Sequence, residues 1–282
     1  MYVTKHIDWI SSSLPTNSDL YSVLPTASFR RTGRGHHGFA TRFVDLHSGV
    51  VMEADSLAEP EIVLLTFSGE ALENLRRSGN MGEDIRIRRL ANEGAKVSRF
   101  DLTLNIHEGE VTPRIMYNAL KSGAVKPRAR TYRFIEGKRG DVEGDTLYIG
   151  SPTADVQFRC YNKAAETGIV DQGAWVRLEL ELRRIRANGA LQSCRTNGIS
   201  ETCSGHLRDF LDWGNQEYKS ALGDNGIQPL DVPRKPTNRQ RWLLGQVASA
   251  LANELWLNSA FQVTFDAAVK GELDRLTIEN GS

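Results

Sequence analysis

The chain has 282 residues, enough for one large domain or two smaller ones, and its 40% hydrophobic and 25% charged residues are ordinary for a globular fold. Basic and acidic residues both number 35, so no overall positive field points to nucleic acid and any basic footprint must be local. Cys160, Cys194 and Cys203 have no C-x-x-C spacing, which argues against a disulfide framework or a cysteine zinc site. With no apolar run near ~20 residues and no basic start before an apolar core, a cytoplasmic protein with reduced thiols is expected.

In chain order, a short strand is expected around residues 7–10, followed by an irregular region over 12–38 rich in Ser, Thr, Pro, Gly and Arg. Residues 61–68 read as a buried strand, 69–77 as a helix and 85–93 as a second, basic helix. A strand over 97–106 leads to Thr112-Pro113, an N-cap with proline at the first helical position, and that helix should stop at Gly123. Residues 146–150 and 156–163 form an expected hairpin, and a strand over 175–184 follows a turn-rich gap. Beyond Asn188 the pattern turns helical, with candidates over 205–218 and 238–257 separated by a Gly/Pro/Asp-rich linker at 223–236.

Three of these strands carry one apolar and one polar face. Val156, Phe158 and Cys160 alternate with Gln157, Arg159, Tyr161 and Lys163, while Val176, Leu178, Leu180 and Leu182 alternate with Arg177, Glu179, Glu181 and Arg183. The third sets Phe100, Leu102, Leu104 and Ile106 against Arg99, Asp101, Thr103, Asn105 and His107. If the polar faces lie together, a tyrosine hydroxyl, several carboxylates and several guanidinium groups converge. That inventory suits phosphodiester chemistry, which needs a hydroxyl nucleophile and positive charge for the phosphate oxygens.

Tyr161 fits the nucleophile, with Arg159, Lys163 and Arg177 as its cations. Tyr148, on a neighbouring strand, is a second candidate whose own strand face carries no cation. Asp101 and Glu179 are candidate ligands for magnesium or manganese, with Asn105, Glu181 and His107 as further ones. The same charges could instead pair across strands on a wet face.

Lys126, Arg128, Arg130, Arg133, Lys138 and Arg139, interleaved with Tyr132 and Phe134, form the densest basic segment. It reads equally as a DNA contact and as a solvated hairpin. His36-His37 is not a His-hydrophobic-His metal motif, because adjacent strand residues point to opposite faces. The loop around it, with Arg30, Arg31 and Arg34, is at most a DNA contact.

Taken in order, Asp8-Trp9-Ile10, Leu65-Thr66-Phe67-Ser68-Gly69, Arg99 to Asn105, Thr146-Leu147-Tyr148-Ile149-Gly150-Ser151, Arg159-Cys160-Tyr161-Asn162-Lys163 and Arg177 to Arg183 resemble the replication initiation factor family (Rep_trans). Its members are rolling-circle initiators of plasmids and filamentous phages and related relaxases of integrative elements. The resemblance spans roughly residues 8–187. It implies a site-specific DNA-nicking enzyme in which Tyr161, in the family's Arg-x-Tyr-Asn/Asp-Lys motif, becomes linked to a 5′ phosphate and frees a 3′ hydroxyl primer. The family's acidic positions fall on Asp101, Asn105 and Glu179, and Asn105 departs from the usual aspartate. Implied partners are origin DNA, a host helicase and a DNA polymerase, with a homodimer as one candidate assembly.

The expected fold is α+β: a largely antiparallel sheet with helices on one face, a relaxase-like Rep fold without the paired-histidine motif. A nicking domain over residues 1–187 precedes a helical region over 188–282 for DNA recognition or oligomerisation. Two alternatives stay open, a mobilisation relaxase with the same chemistry and a DNA-binding regulator that has lost cleavage.

Overall fold

Period-two alternation builds the centre of the molecule. The computed structural model describes residues 1–79, 81–139, 142–168, 174–223, 266, 269 and 270. In it β6 (Lys96–His107), β12 (Val156–Asn162) and β13 (Trp175–Arg183) bury Phe100, Leu102, Leu104, Ile106, Phe158, Cys160, Val176, Leu178, Leu180 and Leu182 on one face. Each such aliphatic or aromatic side chain contributes roughly 1.5–3 kcal/mol by leaving water. The strand faces read from sequence are therefore the faces of the fold.

These strands are the middle of a ten-stranded sheet in which every pairing is antiparallel. On one side of β6 lie β1 (Tyr2–Pro15), β5 (Ile62–Phe67), β4 (Val51–Ser56), β3 (Phe39–Asp45) and β2 (Phe29–Gly33). On the other lie β13, β12, β11 (Thr146–Ile149) and the edge strand β8 (Tyr132–Ile135). The opening strand is longer than the expected 7–10, and the region expected to be irregular contains α1 (Leu20–Val23) and β2. Serines along β1 hide that strand from a hydrophobic count, yet Ser12 is fully buried.

Helices cover the apolar face. α2 (Gly69–Arg77) is capped by the Ser68 hydroxyl, and α4 (Pro113–Lys121) by Thr112, as the Ser/Thr N-cap rule predicts. Gly123 then turns the chain at φ 78°. α3 (Glu83–Asn92) packs beside α6 (Arg184–Asn197), and α6 presents Ala187, Ala190, Leu191 and Cys194 to the core. Asn188 fastens α6 to the start of β6: it accepts from the Val97 N–H at 2.9 Å and donates to the Val97 carbonyl at 2.7 Å.

The expected helix over 205–218 is three elements. α7 (Ile199–Phe210) ends where β14 (Leu211–Trp213) pairs with β7 (Val125–Pro127), and Asn215 caps α8 (Gln216–Leu222). Tertiary pairing of Leu211 and Trp213 with β7 overrides helical propensity there. The chain divides into two compact units, Met1–Val232 and Pro233–Ser282. The sheet unit runs past Ala187 because α6 and α7 pack on β6, so a boundary at 187 would cut α6. The linker expected at 223–236 and the helix expected over 238–257 fall, but for Gly223, outside the described residues. No described helix is long and apolar enough to cross a membrane.

Candidate active site

Register places the polar side chains in rows across the sheet. One row runs His6, Thr103, Glu179, Arg159, Tyr148 and Arg133 through β1, β6, β13, β12, β11 and β8. The next runs Thr4, Asn105, Arg177, Tyr161 and Thr146, and on the other side lie Trp9, Asp101, Glu181 and Gln157. Trp9 joins the polar face through a register shift between Ile7 and Trp9, a bulge at Asp8.

Tyr161 lies at the centre of these rows and is 8% exposed. Its hydroxyl donates to Glu179 Oε2 at 3.3 Å, and the guanidinium of Arg159 and the ammonium of Lys163 each lie 5.7 Å from its ring centroid. Burial, and then the Glu179 carboxylate, push its pKa far above the tyrosine range, against the opposing pull of Arg177 and Arg159. As folded, the phenol is neutral and its proton points at a carboxylate.

Each carboxylate has a guanidinium. Glu179 is paired with Arg159, Asp101 with Arg99, and Glu181 with Arg183 and, at 3.4 Å, with Arg99. Burial drives the Asp101 pKa upward, and Glu179 and Glu181 add to the rise against Arg99. Lys163 was expected on the strand; β12 instead ends at Asn162, whose side chain caps α5 (Lys163–Thr167). Lys163 approaches the Tyr161 ring from that helix and pairs with Glu166.

Asn105 does not join the carboxylates. Its Oδ1 accepts from Arg177 Nε at 2.9 Å and from Trp175 Nε1 at 3.0 Å, and its Nδ2 donates to Thr4 Oγ1 at 3.0 Å. It therefore holds Arg177 opposite Tyr161. His107 is stacked between Tyr2 and Trp175, at 4.1 and 5.2 Å, away from the acidic pair. Tyr148 has cations after all, because Arg159 faces it across the ladder and Arg133 lies 4.8 Å from its ring. Reading one strand at a time hides such cross-strand neighbours.

Two site residues had no signal strong enough to single them out. His6 Nε2 lies 3.8 Å from Asp8 Oδ1, and Asp8 Oδ2 pairs with Arg177 at 3.0 Å. Burial would raise the Asp8 pKa, but the bond to His6 and the charge of Arg177 outweigh it and hold Asp8 ionised. Burial lowers that of His6, leaving the imidazole neutral. Asp8 stands in the first segment of the family resemblance without a role assigned to it, and His6 has only the polar alternation Thr4, His6, Asp8.

Among the described residues no three carboxylate, imidazole or thiol groups form a ready metal cage. The donor set nevertheless fits a hard divalent ion. Asp101 and Glu179 flank Thr103, whose buried Oγ1 has no hydrogen-bond partner among the described residues, and His6 stands across from it. Arg99 and Arg159 neutralise the two carboxylates in this arrangement.

Above Tyr161 opens a cleft of about 350 Å³, walled by Tyr148, Arg159, Asn162, Glu166 and the glycines Gly137 and Gly144. Asp145 braces that wall, paired with Arg114 at 2.9 Å. The basic segment 126–139 does not form one stripe. Arg128 is paired with Asp209, Arg133 reaches the site row, and Lys126 and Arg130 are exposed. Lys138 and Arg139 form a short hairpin strand, β9 (Lys138–Arg139), with β10 (Val142–Glu143).

Residues 95–222 match the replication initiation factor family, a span that holds Asp101, Tyr161 and Glu179. The match covers β6, β12 and β13, the central strands of the polar rows, and the helices α6 and α7 packed behind them. The chain is also similar in fold to the rolling circle replication initiator protein from Geobacillus stearothermophilus. The similarity has a TM-score of 0.67 at 21% identity, covering 83% of this chain and 93% of that one. No curated protein matches the chain.

Proposed function

We propose that the protein initiates rolling-circle replication by nicking one strand of origin DNA with Tyr161. The observation that carries this reading is the Tyr161 hydroxyl bonded to a carboxylate beneath an open cleft, with Arg159, Arg177 and Lys163 around it. The match of residues 95–222 to the replication initiation factor family supports it.

The scissile phosphate enters the cleft and its non-bridging oxygens are met by Arg159 and Arg177. Glu179 accepts the phenolic proton as the Tyr161 oxygen attacks phosphorus. The bond from phosphorus to the 3′ oxygen breaks, leaving a 5′-phosphotyrosine, and the 3′ oxygen takes a proton from solvent water to become the primer hydroxyl while Glu179 returns its proton to solvent. The cations stabilise charge spread over the phosphate oxygens, where buried donors act most strongly. Because a phenolate is a competent leaving group, the reverse reaction closes the strand.

Asp101 and Glu179, with His6 and Thr103 beside them, would hold a magnesium or manganese ion. Bound there, it would supply Lewis-acid polarisation of the phosphate and favour the phenolate. Asp8 orients His6, and Asn105 orients Arg177. Arg133, which reaches the site row, contacts the DNA phosphates beside the cleft, and the exposed Lys126 and Arg130 offer further phosphate contacts, whereas Arg128 is paired with Asp209. Host helicase and polymerase would act on the freed 3′ end.

The test is relaxation of supercoiled plasmid carrying the DNA beside the coding sequence, with magnesium or manganese and with a chelator. Metal-dependent conversion to open circles supports the reading. Tight binding without conversion under either metal supports a regulator that has lost cleavage.

A further inference from the structure

The polar face does not end at the acidic cluster. Beyond Asp101 it continues through Trp9, Ser11 and Ser13 on β1, Thr66 and Leu64 on β5, Val51 and Glu53 on β4, and Arg42 on β3. A second groove of about 650 Å³ lies there, larger than the cleft above Tyr161.

Its chemistry is distinct from that of the nicking site. Ser11, Ser13, Thr66 and Ser98 set hydroxyls into a largely apolar floor shared with Val51, Ile62 and Leu64, and the rings of Trp9, Phe39, His36 and His37 stand around it. Arg42 is the arginine of this lining, and its buried Nε has no hydrogen-bond partner among the described residues. The Glu53 carboxylate is already engaged, accepting from the His36 backbone N–H at 2.8 Å and facing His36 Nδ1 at 2.9 Å. Arg99 lies 4.7 Å from the Trp9 ring and also pairs with Asp101, so this aromatic wall adjoins the acidic cluster.

We infer that this groove binds the single DNA strand running from the nicking cleft, stacking bases on its rings and placing a phosphate on Arg42. The inference rests on the nicking reading for its strand but on its own residues for the site. From β12 to β3 is six strand steps, or roughly 29 Å at about 4.8 Å each, room for several extended nucleotides. Rings, hydroxyls and a guanidinium whose Nε has no hydrogen-bond partner among the described residues suit sequence-tolerant single strands. A duplex needs a broader cationic surface than this groove offers.

The test is fluorescence anisotropy with a labelled oligothymidylate about ten nucleotides long, a length within the range of single-strand sites. Arg42→Ala removes the cation, Ser98→Trp fills the groove from an exposed position, and Tyr161→Phe leaves the groove intact. Arg42→Ala and Ser98→Trp should each weaken binding by about fivefold or more, with Arg42→Ala lowering the salt slope by about one, and Tyr161→Phe should bind like the parent. Arg42→Gln with an unchanged melting temperature repeats the test if either variant fails to fold. Parental oligothymidylate affinity in folded Arg42 variants, or a loss confined to duplex DNA, overturns the groove. A groove-dependent affinity with no covalent adduct on any DNA overturns the nicking reading and leaves the groove standing. An adduct with groove-independent affinity does the reverse.

Discussion

The Tyr161 hydroxyl donates to Glu179 Oε2 at 3.3 Å, and that carboxylate is in turn paired with Arg159. Burial and this carboxylate together keep the phenol protonated, and on the proposed nicking reading the carboxylate that positions the phenol also receives its proton.

Removing that charge should show in the spectrum of the phenol. In Glu179→Gln the Tyr161 ionisation moves down, because the second cause of its elevation is gone while burial remains. Alkaline titration of tyrosinate absorbance, with Tyr161→Phe subtracted, reads the shift. The same variant should nick slowly, since a glutamine cannot accept the proton.

Asn105 acts on Arg177 rather than on an ion. Asn105→Leu removes the acceptor for Arg177 Nε and Trp175 Nε1 and should slow nicking about 10- to 100-fold with the fold retained, as losing an orienting partner does. Asn105→Asp keeps an oxygen for both donors and should nick far better than the leucine variant. Equal rates for all three would remove Asn105 from the account.

A chelator should abolish nicking, and magnesium or manganese should restore it. Asp101→Asn should raise the metal concentration needed for half-maximal nicking. It also removes a carboxylate whose charge burial, and then Glu179 and Glu181, disfavour, so its melting temperature without metal should not fall. Titrating metal against nicking in parent and variant measures both.

Stability should depend on pH through His206, buried in α7 with no partner for Nε2 among the described residues. Burial, and then Arg186, push its pKa down to about 4 from 6.5. Between those values the unfolded chain binds a proton that the folded one refuses. Stability is therefore full above pH 6.5 and falls toward pH 4, with a slope of up to about 1.4 kcal/mol per pH unit. Urea unfolding across that window should show the slope in the parent and a flatter one in His206→Phe.

Much of the fold was legible because β6, β12 and β13 alternate without interruption, and their polar sets gave Asp101, Glu179, Arg159, Tyr161 and Arg177 directly. The bulge at Asp8 was not legible: one extra residue swaps the faces of everything after it, so Trp9 reaches the polar face while His6 also does. Cross-strand partners were equally hidden, since Arg133 meets Tyr148 only through pairing of β8 with β11. The break after Phe210 arises from pairing with β7, which no local pattern announces.

The most direct test of the central claim is a denaturing gel of protein incubated with magnesium or manganese and labelled single strands tiled across the DNA beside its gene. Parent, Tyr161→Phe and Tyr148→Phe are compared, and the modified peptide is mapped by mass spectrometry. The account predicts a covalent adduct on the peptide containing Tyr161, lost in Tyr161→Phe by at least about 10³-fold and kept in Tyr148→Phe. An adduct that survives Tyr161→Phe and disappears in Tyr148→Phe would contradict it.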